Sequence, residues 1–144
     1  HDALWPNELW PAMTFEGPLR LGAQGGHGPI RYRVAEIAPG RRIAFAFTAP
    51  LGFEGFHAFE IEPLSADEAL LRHRLEMNST GLALLSWPLL FRPLHDALIE
   101  DALTKAEASL GVAGRVRPWP RQVIFLRWLL SRGKARKRSP NSFA

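Results

Sequence analysis

The chain contains no cysteine. That absence excludes a disulfide scaffold, a thiolate metal site and a cysteine nucleophile. No apolar run reaches the roughly 18–20 residues that a membrane-crossing helix needs, and no signal peptide is visible. Low-complexity tracts are also missing, since the twelve Gly and twelve Pro are dispersed as punctuation. Acidic residues are absent from positions 111–144, which carry nine Lys and Arg. Positions 1–110 hold nine basic and fourteen acidic residues, a net of −5, so the overall +4 comes from the C-terminal stretch. Such a segment suits an anionic partner, such as a membrane surface or nucleic acid; the plainer and preferred reading of its basic run is a solvated tail. DNA binding is disfavoured, because the body offers no aromatic platform on a basic face and no recognition helix.

What is present is a chain of 144 residues, 47% apolar, enough for one compact domain and a tail. The segment LWPNELWP, residues 4–11, carries two Trp-Pro pairs and reads as a turn or broken helix anchored by its indoles. From Gly17 to Ser79 the apolar period is two, the mark of half-buried strands. Five strands are expected, around Leu19 and Leu21; Ile30, Tyr32 and Val34; Ile43, Phe45 and Phe47; His57, Phe59 and Ile61; and Leu71, His73, Leu75 and Met77. The intervening turns, Gly25-Gly26-His27-Gly28, Pro39-Gly40, Pro50-Leu51-Gly52 and Leu64-Ser65-Ala66-Asp67, are too short for parallel crossovers, so an antiparallel meander follows. Glu60 and Glu62 are expected opposite Arg72 and Arg74 on its wet face. Residues 81–92 are apolar but too short to span a bilayer. Pro93 can open a helix with a stripe of Leu94, Leu98, Ala102, Ala106 and Leu110 and a solvated side that includes Asp101, Thr104 and Lys105. Gly111 is its natural stop. Residues 118–132 read as a second, short helix, with Arg121, Arg127 and Arg132 among apolar residues and a disordered basic tail beyond.

The order of these pieces is similar to the helix-grip fold of the START-like SRPBCC superfamily, and within it to bacterial members of the polyketide cyclase/dehydratase kind. The similarity runs from Leu4 to Gly111 through LWP, GPLRLGAQGGHGPIRYRV, PGRRIAFAF, GFEGFHAFEIEPL, LRHRLEM and WPLLFRPLHDALIEDAL. It implies an α+β fold in which a curved antiparallel sheet wraps a long C-terminal helix, with residues 1–111 as the ligand-binding domain and 112–144 as an added basic helix and tail. Five strands are visible; by this resemblance the family's first strand is missing, so that either the given sequence starts after it or the sheet is left with an open edge able to pair with a second copy of the chain. The C-terminal helix is a second route to a homodimer.

A sheet gripping one helix implies an apolar cavity between them, lined here by Leu21, Ile30, Tyr32, Phe45, Phe47, Phe59, Leu71, Leu75 and Met77 from the strands and Ile99 from the helix. His57, His73 and Tyr32 fall on inward strand positions and His95 on the helix stripe. The expected function is binding of a small hydrophobic ligand: a lipid, a polyketide or an isoprenoid-like molecule. An alternative is a cyclase/dehydratase reaction with His57, His73 and Tyr32 as acid–base groups. Taken singly, each imidazole reads first as a core residue whose nitrogens are satisfied by backbone or water. A third reading docks residues 119–138, including the run Lys134, Arg136, Lys137 and Arg138, on an anionic membrane. The expected location is the cytoplasm, with the inner membrane face as the site of docking. No HxxxH or HExxH spacing is present, so neither a metal nor a cofactor is expected. His27 reads as a loop cap. The run GGHG lacks the following helix of a phosphate loop, and Ser79, Thr80 and Ser86 lack a nucleophile-elbow context.

Overall fold

The computed structural model describes residues 4–112 and 116–131. The chain divides into two compact units: a sheet unit, Met13–Leu84, and a helical unit made of the segment up to Ala12 together with the chain from Leu85 onward.

The sheet unit is a six-stranded antiparallel meander whose strands lie side by side in sequence order. They are β1 (Thr14–Phe15), β2 (Gln24–His27), β3 (Ile30–Ala38), β4 (Arg42–Ala49), β5 (Phe53–Pro63) and β6 (Ala69–Ser79). Four of the five expected strands are β3 to β6. The stretch around Leu19 and Leu21 is instead a run of bends and a turn. Gly17 and Gly22 there adopt φ of +81° and +79°, conformations outside the β region, and Pro18 supplies no ladder donor. Leu21, expected to face inward, is accordingly 64% exposed.

The sheet gains β1 and β2 in its place. Two glycines hid β2 from a propensity reading, and packing explains both. A Cβ at Gly25 would stand 2.5 Å from the Phe15 ring and from the Thr14 carbonyl oxygen, and one at Gly26 would stand 2.2 Å from the Ile30 carbonyl oxygen. A strand glycine marks such close backbone approach. The turn into β3 is therefore only Gly28-Pro29, with His27 paired to Ile30 and φ of +51° at Gly28.

Register places opposite residues on a common face. Phe45 faces His57, His57 faces Leu75, Phe59 faces His73, Tyr32 faces Phe47, and Gly55 faces Met77. The apolar positions expected on β3 to β6 thus share one face. On the other face Glu60 stands opposite Arg72 as expected, but its ion pair is with Arg42. Arg72 reaches diagonally to Glu62 at 2.9 Å, and Arg74 pairs along its own strand with Glu76.

The long helical segment differs from expectation at its start. Helix begins at Ala83 as α1 (Ala83–Ser86), passes without a break through a wider π turn, Trp87–Phe91, and continues as α2 (Arg92–Ser109). Within the turn the Arg92 N–H donates to the Trp87 carbonyl, five residues back. Pro93 cannot donate to the carbonyl of Leu89 and its ring crowds that oxygen. Widening the turn relieves the clash, and the Gln122 side-chain amide donates to the Leu89 oxygen at 3.1 Å. Gly111 ends the helical segment with φ of +74°, as its sequence position predicts.

α3 (Arg121–Leu130) follows and packs in the same unit as α2. The contact is organised by a buried cluster. Asp101 and Thr104, expected on the solvated side of α2, are both buried. The Asp101 carboxylate accepts the indole N–H of Trp10 at 2.8 Å and that of Trp119 at 3.0 Å on one oxygen. The Arg127 guanidinium lies 4.1 Å from the Trp10 ring centroid and 4.2 Å from that of Trp119, and donates to the Leu9 carbonyl. Burial pulls its pKa down and the Asp101 charge opposes that. Lys105 donates to the Trp5 carbonyl at 2.9 Å and to Glu8 at 2.6 Å. Partial burial pushes the Glu8 carboxyl up, but the hydrogen bonds and the Lys105 charge outweigh it and hold it below the usual range. The LWPNELWP segment is thereby anchored by its indoles, as its composition predicts. The tail beyond residue 131, with the basic run 134–138, lies outside the described residues.

Candidate functional site

The apolar face of the sheet carries a continuous array of aromatic and imidazole rings. Its centre is His57 on β5, 4% exposed. Antiparallel pairing sets Phe45 beside it, with ring centroids 5.1 Å apart. Phe47 stacks on the imidazole at 5.4 Å and 18°, and Tyr32 meets it edge-on at 5.3 Å. On the β6 side His73 lies diagonal to His57, and its Nε2 is 3.3 Å from His57 Nδ1. Phe59 packs edge-on against His73 at 5.0 Å.

A neutral imidazole has one donor and one acceptor nitrogen. At the 3.3 Å contact one ring donates and the other accepts, so the pair lies in a fixed mutual orientation.

Tyr32 extends the array toward β2. Its ring is fully buried, and its hydroxyl oxygen is 3.3 Å from His27 Nδ1. Burial pushes the phenol well above its ordinary value, against the opposing charge of Arg31, so the hydroxyl remains protonated at neutral pH. It offers a hydrogen bond rather than a readily lost proton. Phe15, on the two-residue β1, closes this end, 5.9 Å from Tyr32 and 5.8 Å from Phe45.

The structure thus joins six of the expected residues, Tyr32, Phe45, Phe47, His57, Phe59 and His73, into one array. Leu71, Leu75 and Met77 share the face on β6 and are half-buried, as is Ile30 at the start of β3. Leu21 stands outside it. His95 and Ile99 are half-buried on α2, in the helical unit. His95 Nδ1 is 3.0 Å from an Asp96 carboxylate oxygen and its ring is 5.7 Å from Trp87. Burial pulls its pKa below the ordinary value, while Asp96 opposes the shift.

Two members went unseen in the sequence. A two-residue strand around Phe15 is too short to show a period, and the glycines around His27 signal a turn rather than a strand. The adjacent pair Gly25-Gly26 was the available signal, since a strand that needs two glycines has a bulky neighbour. Among the described residues no group of three or more His, Asp or Glu side chains could hold a metal ion. An open depression of about 310 Å³ lies elsewhere, bordered by Arg41, Glu60, Ile61, Glu62, Pro63 and Arg72. Its charges are of both signs, and none of its residues belongs to the ring array.

No protein-family model matches the chain. Nor does any curated protein or solved structure match it. Among the described residues, no helix is long and apolar enough to cross a membrane.

Proposed function

We propose that the ring-lined face of the sheet binds a small hydrophobic molecule carrying at least one polar group, such as a lipid, a polyketide or an isoprenoid-like compound. The observation that carries this reading is the hydrogen-bonded His57–His73 pair set among Phe45, Phe47 and Phe59. Small-molecule sites combine mostly apolar lining with a few placed polar groups, and the array has that make-up. Rings would contact the body of the guest, and the imidazoles would orient its polar end. The half-buried β6 side, with His73, Leu75 and Met77, is the side from which a guest reaches His57. A sequential antiparallel sheet followed by a long helix supports the helix-grip reading of the fold.

A second reading, acid–base catalysis of the cyclase/dehydratase kind, is favoured by the same imidazole contact, because hydrogen-bonded imidazoles are the side chains that most often serve as general acid and base. The raised phenol of Tyr32 argues against its use as a proton donor and for a binding role.

Fluorescence titration with N-phenyl-1-naphthylamine tests the binding reading. Saturable binding with a blue-shifted emission is expected, weakened about tenfold by His57→Phe or His73→Phe through loss of the polar anchor. Absence of saturable binding, or equal binding by both variants, would overturn it. A His73→Asn variant separates the two readings: it retains a hydrogen-bonding group for binding but has no titrating ring for proton transfer.

A further inference from the structure

We propose that the outward face of α3 docks on an anionic phospholipid bilayer surface. The helix is inverted with respect to an ordinary surface helix. Its central charge, Arg127, is buried together with Val123, whereas Ile124, Phe125, Trp128 and Leu129 are each more than half exposed. At 100° per residue these four fill the arc opposite Val123 and Arg127. Phe125 and Trp128 stack on each other at 6.2 Å. The Gln122 bond to the Leu89 carbonyl brings the N-terminal end of α3 beside the π turn, where Leu89 is also largely exposed. An exposed apolar patch of this kind marks an interaction surface.

Charge identifies the occupant. Positions 111–144 carry nine Lys and Arg and no Asp or Glu, so the apolar face is flanked in sequence by cations alone. An apolar helix face with Trp and Phe, bordered by basic residues, is the composition of helices that lie in the headgroup region of anionic bilayers. α3 has ten residues, too few to cross, and its inner side is already committed to Trp10, Trp119 and Asp101. It would lie in the plane of the surface with the indole of Trp128 at the headgroup level.

The test is flotation of the full chain with vesicles of phosphatidylcholine, alone and mixed with phosphatidylglycerol. Flotation with the anionic vesicles is expected, weakening as salt is raised. The double substitution Phe125→Ser and Trp128→Ser should weaken it at least about tenfold while the near-ultraviolet signal of the buried indoles is kept. No flotation with anionic vesicles, equal flotation with neutral ones, or wild-type flotation by the double variant would overturn the proposal. A dimer in size-exclusion chromatography that the double variant dissolves would overturn it as well, by assigning the face to a second copy.

Discussion

Around Asp101 a carboxylate, a guanidinium and two indoles meet from three stretches of chain: the N-terminal segment, α2, and α3 with the residues before it. Around His57 the polar members are imidazoles and a phenol, drawn from neighbouring strands of one meander. The first cluster holds opposite charges that feel one another and are engaged with the same two indoles, and Arg127 also with the backbone. The second holds imidazoles and a phenol, each able to exchange one hydrogen-bond partner for another. A buried charge cluster commits the chain to one arrangement. A cluster of imidazoles and a phenol can receive a guest without breaking an ion pair. For this reason the polar group at Asp101 reads as structural, and the one at His57 is the one proposed as a binding site.

That contrast is open to measurement. The largest effect is expected for Asp101→Ala, which leaves Arg127 buried without its counter-charge and should cost about 3–5 kcal/mol in denaturant unfolding. A loss near zero would remove the distinction between the clusters. Gly25→Ala should cost about 1–3 kcal/mol, since its new Cβ collides with Phe15 and the Thr14 carbonyl. A neutral result there would show that β1 and Phe15 are not held against Tyr32. His57→Phe, close in volume, should change stability by less than about 1.5 kcal/mol while weakening probe binding. A large stability loss would instead make His57 a core residue.

The smallest effect concerns pH. The folded chain holds the His95 imidazole below its ordinary value of 6.5, whereas the unfolded chain titrates near it. The unfolded state then binds more protons through the interval below 6.5, so stability is full above that pH and declines as pH falls through it. His95→Gln should flatten that part of a stability–pH profile. An unchanged slope would show that burial does not set the protonation of this ring.

Strands β3 to β6 were legible because their apolar residues alternate strictly, and alternation fixes which side chains share a face. Tyr32, Phe45, Phe47, His57, Phe59 and His73 followed from that period alone. Leu21 did not, because Leu19 and Leu21 alternate by coincidence between two glycines with positive φ. β2 and the role of His27 were hidden because its glycines answer to a neighbour, Phe15, that the local sequence does not indicate. The early start of the helix at Ala83 was masked by two prolines, which the π turn accommodates. Asp101 looked solvated because its partners, Trp10 and Trp119, lie 91 and 18 residues away. Long-range pairing of that kind leaves no periodic trace.

The most direct test of the ring array as a binding site is native mass spectrometry of the intact chain beside its His57→Phe variant, followed by organic extraction and identification of what is released. The account predicts a hydrophobic compound with a polar group retained by the wild-type chain and lost or much reduced in the variant. A wild-type chain that is consistently empty, or an identical compound carried equally by both, would contradict it.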